Sequence, residues 1–475
     1  MKIKLDPVTR LEGHMKIEVE VDSSKEVIAA KSTGNMFRGF ENILKGRDPR
    51  DAVHLTQRIC GLCPVSHGIA SVKALEMSRN FRPTGQARLL RNLIQGGNYV
   101  ADHILHFYHL TLLDYIQGPN RSPWKTSYDT DMRFSKSASE EMFNNYLKAL
   151  EIRRKAHEMV SLFAGKIPHV MSIMPGGVTK TPTASEISNY KRLLGEVKSF
   201  VDGQYHGDVQ KLASVYKDYF QIGEGYRNFI SFGVFELESS SNSNLLYRSG
   251  RYTEGQYMSV EPRRITEDIK YAWYEGKERA ELKDDNTKPT LNKSNAYSWI
   301  KAPRYLDLPH EAGPLARAWI NGDYRGGVSV MDRHVARMLE TKKVANALSL
   351  WINELSSGEQ EYDSNLHMGY SAGEGVGVTE APRGALVHYI KYKSQKIENY
   401  QVVTPTCWNV SPKDNNDQMG PLEKALIGVQ IQDVNNPIEL MRIIHSYDPC
   451  TACAVHIMTP EGRIENKFIV SAPGL

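Results

Sequence analysis

The sequence predicts a mainly α (α+β) fold, a large helical-bundle core with small β-hairpins or sheets at its periphery. Three observations carry that expectation. Long stretches with apolar residues at helical spacing fill much of the 475-residue chain. Alternating apolar and polar residues are confined to short segments towards the two ends. The stretch 222–300, rich in Gly, Ser, Asn and Tyr, carries neither pattern and is expected to form an irregular lobe over the bundle.

In chain order, residues 15–33 read as a β-hairpin: Ile17, Val19 and Val21 alternate with polar residues, Asp22-Ser-Ser-Lys25 turns the chain, and Val27-Ile28 starts the return. Helical spacing then runs from Gln86 to Tyr115, weakened at Gly96-Gly97. A second helix is expected over 139–164, with Leu147, Leu150, Met159 and Leu162 among its apolar positions and Gly165 as a stop. Thr183-Ala-Ser-Glu186 has the spacing of a capping box and opens a third helix towards Tyr219. A further helix spans 332–356, and residues 386–403 alternate again as strands. With no repeat and no linker, the expectation is one mostly α unit.

Composition excludes several function classes. A formal net charge of +4, with no basic stripe, argues against nucleic acid as a partner. No apolar run approaches the roughly 20 residues of a membrane-spanning helix, and the N-terminus has no apolar signal core.

Four of the five cysteines fall into Arg58-Ile-Cys60-Gly-Leu-Cys63-Pro-Val-Ser-His67 and Asp448-Pro-Cys450-Thr-Ala-Cys453-Ala-Val-His456. Each CxxC turn aims two sulfurs at one point, and two such turns make a four-sulfur cage. Such pairing argues for a metal site and against a disulfide scaffold. From the cysteines alone, structural zinc competes on equal terms with a catalytic metal. Two features weigh against zinc: zinc ribbons keep their pairs within roughly 15–20 residues, whereas most of this chain separates the two pairs, and a closed structural site needs no nearby carboxylate or arginine. Cys407 reads as a small buried apolar residue and not as a ligand. It leaves too few cysteines for an iron–sulfur cluster, so electrons would have to leave through another chain.

The two motifs, with Asp6-Pro-Val-Thr-Arg-Leu-Glu12-Gly-His14, Met36-Phe-Arg38-Gly-Phe-Glu41, Asp102-His-Ile-Leu-His-Phe-Tyr-His109 and Glu380-Ala-Pro382-Arg383-Gly384, resemble the large, catalytic subunit of nickel–iron hydrogenases. The resemblance runs from about residue 3 to His456. It is nearest the uptake branch that includes the nickel–iron–selenium enzymes, but Cys450 stands where that branch has selenocysteine. It implies the hydrogenase large-subunit fold and reversible heterolytic oxidation of dihydrogen. It implies nickel held by Cys60, Cys63, Cys450 and Cys453, with Cys63 and Cys453 bridging to an iron that carries carbon monoxide and cyanide. It further implies a magnesium or iron site at Glu41, the Val402 carbonyl and His456.

By the same resemblance Glu12 is the proton relay beside Cys450, although Arg-x-Glu by itself reads as an ion pair with Arg10. Arg383 would be held over the metals, where by itself it reads as a surface arginine after a proline turn. Asp102 and Asp448 would orient that guanidinium, though Asp-Pro at 448 is also an ordinary turn opener. Pro382, Pro405 and Thr406 would line the iron ligands, and His67 would lie close behind the cysteines. The implied partners are an obligate iron–sulfur small subunit, a maturation endopeptidase and nickel-insertion proteins, with membrane contact only through partners. Co-export with the small subunit would place the pair in the periplasm or on the outward membrane face; the cytoplasm is the alternative. Residues 1–456 would form a single catalytic domain, and 457–475 an extension removed on maturation by cleavage after His456. The competing readings are a hydrogen sensor, a cytosolic cofactor-reducing hydrogenase and a zinc-stapled structural subunit.

Overall fold

Helix caps and glycine stops set where the long apolar-periodic segments begin and end. In the computed structural model, which describes residues 1–83, 85–119, 130–238, 244–285, 287–367 and 369–454, the principal helices are α1 (Pro64–Ser78), α2 (Gly85–Leu105), α3 (Lys136–Ala164), α4 (Ala184–Phe200), α5 (Pro314–Asn321) and α6 (Val330–Glu354). Ser135 caps α3 by accepting from the Ala138 amide, and Gly165 stops it at a φ of 80°. Thr183 and Glu186 form the capping box expected for α4, and Ser329 and Asp332 form another at the start of α6.

α2 is the buried axis of the bundle, packed between α3 and α6. Gly96 and Gly97, which weaken the helical pattern in sequence, are what permit that packing. A Cβ on Gly96 would lie 2.8 Å from Leu348 Cδ2 of α6, and one on Gly97 would lie 2.5 Å from Val160 Cγ2 of α3. The helix-propensity cost of about 1 kcal/mol per glycine is thus exchanged for close contact on both faces. Past Leu105 the axis widens into a π-helical turn, His106–Thr111, before ending at Asp114. On α3, Met159 is fully buried as expected, but Leu147 and Leu150 face outward.

The N-terminal hairpin forms from Met15–Val21 and Val27–Gly34, and Lys2–Leu5 adds a third antiparallel strand. Asp22 shapes its turn, its carboxylate accepting from the Ser24 and Glu26 amides. Towards the other end, Ala372–Ala381, Gly384–Lys393 and Lys396–Val403 form a three-stranded antiparallel sheet laid on α1. Gly375 and Gly377 allow this, since a Cβ on either would fall within 2.0 Å of the Ala74 or Ala70 carbonyl oxygen.

The expected irregular lobe is where the structure departs from the sequence reading. Residues 222–300 contain strands Phe229–Glu236, Leu245–Thr253 and Gln256–Met258 in one antiparallel sheet, and Ile265–Asp268 and Arg279–Glu281, joined by Ala302–Tyr305, in another. Nearly every residue of Phe229–Glu236 is buried, so its two faces do not differ and the alternation that marks a half-exposed strand is absent.

Candidate active site

The two CxxC turns meet in the core although about 390 residues separate them in sequence. Cys60 Sγ and Cys450 Sγ lie 3.3 Å apart. Together with Cys63 they place three sulfurs within 4.8 Å of one another, all three residues buried. Cys60 follows a short 3-10 turn, Gln57–Ile59, and Cys63 caps α1 with Pro64 at its first position. That geometry turns the Leu62 and Cys63 amides back onto Cys60 Sγ, each at 3.3 Å. N–H donors at a sulfur stabilise its thiolate form. The fourth cysteine of the pattern, Cys453, lies in the short helix Thr451–Ala454; its side chain, His456 and the tail 457–475 fall outside the described residues. Cys407 stands apart from the cluster: its amide and thiol meet Thr404 Oγ1, and burial pushes the thiol up to about 12.

Cys450 is fixed from two sides. Its amide donates to Thr406 Oγ1 at 2.9 Å, at the start of the helix Pro405–Asn409. The Thr406 hydroxyl therefore keeps its own proton to give elsewhere. On the other side, Glu12 and Cys450 form a parallel β-bridge, and the Glu12 carbonyl accepts from the Thr451 amide at 2.7 Å. Gly13 makes that approach possible, with a φ of 95° and a position where a Cβ would lie 2.3 Å from the Ala452 amide.

Glu12 does not pair with Arg10. Arg10 reaches away to Asp114 and the Leu110 carbonyl. Glu12 is left half-buried beside the cysteines, where burial and the Cys60 sulfur raise its pKa against the pull of Arg383, Arg38 and the Gly61 amide.

Arg383 sits in the turn between the first two strands of the sheet on α1, and its side chain is buried, not on the surface. It contacts Asp102 of α2 at 2.7 Å and Asp448 at 3.0 Å. One guanidinium thus faces two carboxylates, and the Cys450 and Cys63 sulfurs also raise its pKa. Burial, Asp448 and Cys60 push Asp102 up to about 7 while Arg383 opposes the shift. Pro382 precedes Arg383 with its carbonyl held by Arg317 at 2.7 Å. Pro405 is buried at the first position of its helix.

Glu41 is also buried. Its carboxylate accepts from the Val402 amide at 3.0 Å and from the Thr287 hydroxyl. Lys301, bonded to Asp285 at 2.5 Å and Glu267 at 3.3 Å, stands in the same polar pocket. Behind Cys63, His67 Nδ1 meets His388 Nε2 at 3.1 Å, and His388 Nδ1 meets the Tyr400 hydroxyl at 2.7 Å. Burial lowers His67 to about 4, so its ring is neutral at neutral pH.

Sequence reasoning missed Arg38 as a site residue, although it lies in the run Met36-Phe-Arg38-Gly-Phe-Glu41. Its guanidinium donates to the Ile59 carbonyl at 2.9 Å and to the Ala452 carbonyl at 3.4 Å, tying the two cysteine turns together. Arg317 was missed as well; no spacing pattern links it to the carbonyls and carboxylates it holds.

The family described as "Nickel-dependent hydrogenase" matches residues 38–127 and 118–456, and a "HoxL-like" pattern matches residues 2–33. The periplasmic [NiFeSe] hydrogenase large subunit of Desulfomicrobium baculatum is 42% identical over 97% of this chain and 96% of its own length. The quinone-reactive Ni/Fe-hydrogenase large chain of Wolinella succinogenes is 31% identical over 99% of this chain and 98% of its own. The solved Ni-Fe-Se hydrogenase of D. vulgaris Hildenborough superposes with a TM-score of 0.92 at 41% identity, covering 96% of this chain and 100% of that one. Among the described residues no helix is long and apolar enough to cross a membrane.

Proposed function

This chain belongs to the nickel-dependent hydrogenases as a large subunit, an oxidoreductase acting on dihydrogen that works with a small subunit, and from that premise we propose which of its residues do the work. The observation that carries the proposal is the convergence of three buried thiols with Glu12 and the Arg383–Asp102–Asp448 ion pair. Those residues fit nickel and iron: soft sulfur donors, stabilised as thiolates by two backbone amides and a nearby guanidinium. Cys60, Cys63, Cys450 and Cys453 would hold nickel, and Cys63 and Cys453 would also hold an iron that carries carbon monoxide and cyanide. When bound, this pair of metals supplies the heterolytic cleavage of dihydrogen and the path by which its electrons leave.

The chain's own residues manage the proton and the field. Cys450 Sγ takes the proton first, and the Glu12 carboxylate, kept more basic than a free glutamate by burial and Cys60, relays it outward. Arg383 cannot lose its charge, so it supplies a fixed positive field over the reacting site, and Asp102 and Asp448 fix its orientation. Pro382, Pro405 and Thr406 would line the iron side, and the Thr406 hydroxyl, which accepts from the Cys450 amide, would be left to donate a hydrogen bond to a cyanide. Glu41, the Val402 carbonyl and His456 would hold a magnesium or iron ion, a hard-ligand site suited to carboxylate and carbonyl oxygens.

We further infer an uptake role, with electrons passed to iron–sulfur clusters of the small subunit, and co-export of the pair to the periplasm or outward membrane face. Residues 1–456 act as one catalytic unit. Nickel-insertion proteins and an endopeptidase that cuts after His456 complete maturation. Elemental analysis of the purified large subunit tests the metal assignment: nickel and iron at about one each supports it, and zinc alone refutes it. An active enzyme whose large subunit keeps the mass of residues 1–475 would refute the cleavage.

A further inference from the structure

Arg317, on α5, is fully buried and uses every donor it has. Its Nε and Nη2 grip both oxygens of Glu340 on α6 at 2.6 and 2.7 Å. Its Nη1 bonds Glu380 at 2.6 Å and the Ala381 carbonyl at 3.0 Å, and Nη2 bonds the Pro382 carbonyl at 2.7 Å. Three of these five bonds therefore go to the strand end that carries Arg383. The other two go to a carboxylate that also accepts from His103 Nε2 at 3.2 Å, and His103 is the neighbour of Asp102 on α2.

The contacts close a ring. Asp102 meets Arg383 directly; Arg383 follows Pro382; Pro382 is held by Arg317; Arg317 is held by Glu340; and Glu340 is held by His103, next to Asp102. The backbones also touch, because Gly313, just before α5, sits where a Cβ would lie 2.9 Å from the Arg383 carbonyl oxygen. A buried ion pair adds little net stability against an apolar replacement, but it fixes geometry. We propose that Arg317 is a positioning residue for turnover, a five-donor clamp that sets where Arg383 stands relative to Asp102 and the cysteines. This rests on the reading above that Arg383 acts in turnover.

The test is a double-mutant cycle in the assembled, nickel-loaded heterodimer. Arg317→Lys keeps the charge but cannot bridge Glu340, Glu380 and two carbonyls at once. Its expected effect is a fall in kcat of about 10- to 100-fold, the scale of a misplaced catalytic group. The KM for dihydrogen should move by less than roughly twofold, and nickel per chain should stay at the wild-type level. In an Arg383→Lys background the same change should cost less than roughly twofold more, because the group it positions is gone. Losses that multiply in the double variant, or that merely track lost nickel, would overturn the proposal. Full kcat in Arg383→Lys alone would instead defeat the role given to Arg383, so the two failures are distinguishable. If Arg317→Lys does not assemble, Glu340→Gln, which preserves shape but weakens the grip, carries the same test. It should lower kcat with nickel retained and show the same non-additivity with Arg383→Lys; wild-type kcat in Glu340→Gln would overturn the clamp.

Discussion

Glu12→Gln removes one proton-carrying group and little else. The structural part of Glu12 is its carbonyl, which accepts from the Thr451 amide and the Thr451 hydroxyl and is untouched by the change. The Gly61 amide favours the ionised side chain, and a glutamine oxygen keeps an acceptor facing it. Burial already disfavours the ionised carboxylate here, so a neutral amide relieves a cost while it loses a charged acceptor. The net stability change should stay within about 1 kcal/mol. Loss of a positioned acid–base group costs about 10²- to 10⁴-fold in rate, or about 2.7–5.4 kcal/mol at 1.36 kcal/mol per tenfold. The catalytic effect should therefore exceed the structural one several times over. The assay is dihydrogen-dependent reduction of an artificial acceptor and deuterium–proton exchange, both normalised to nickel per chain. In the wild type, activity should fall on the acid side through a pKa above that of free glutamate, because protonated Glu12 cannot accept a proton; the variant should lack that limb. Turnover above about a tenth of wild type with nickel intact would remove Glu12 from the relay.

Other outcomes follow from the same geometry. Gly13→Ala places a methyl 2.3 Å from the Ala452 amide at a φ of 95°, and should cost about 1–3 kcal/mol and lower nickel per chain after chelator treatment; wild-type nickel retention would contradict the bridge as the clasp of the cage. Asp102, raised to about 7 in the fold, holds its proton more tightly folded than unfolded, where its pKa is about 3.9. That contribution to stability is fully present below about pH 4 and is lost as pH rises through about 7. Asp102→Asn should flatten this dependence, so melting temperatures at pH 5 and pH 8 should differ less in the variant than in wild type; equal differences would refute it. Cys407→Ala should leave nickel per chain unchanged and cost about 1 kcal/mol for the small cavity, and a fall in nickel would make Cys407 part of the cage.

Much of this site was legible because its chemistry is local in sequence. A CxxC turn declares its two sulfurs within four residues, and the acidic and basic residues beside it lie in short recognisable runs. The capping box at Thr183 is equally local. What stayed hidden depends on tertiary contact. Arg10 and Glu12 look like partners until Asp114, about 100 residues away, takes the arginine. Phe229–Glu236 is buried on both faces and so lacks the alternation that announces a strand. No residue pattern in the sequence announces the π turn at His106–Thr111. Gly96-Gly97 was misleading in a useful way, since the weakness it brings to an isolated helix is the reason two neighbours can come close.

The bridge between Glu12 and Cys450 also sets an order of events during synthesis. Contacts local in sequence need only a short length of chain, but this clasp joins positions about 440 residues apart. Loop-closure entropy grows only logarithmically with length, so the delay is one of translation and not of free energy. Until residues 450 and 451 have been made, Cys60 lacks the Cys450 sulfur beside it and the Glu12 carbonyl lacks the Thr451 amide. A chain that stops before Cys450 lacks one wall of its centre. The sulfur cluster is therefore the last part of the fold for which all residues become available.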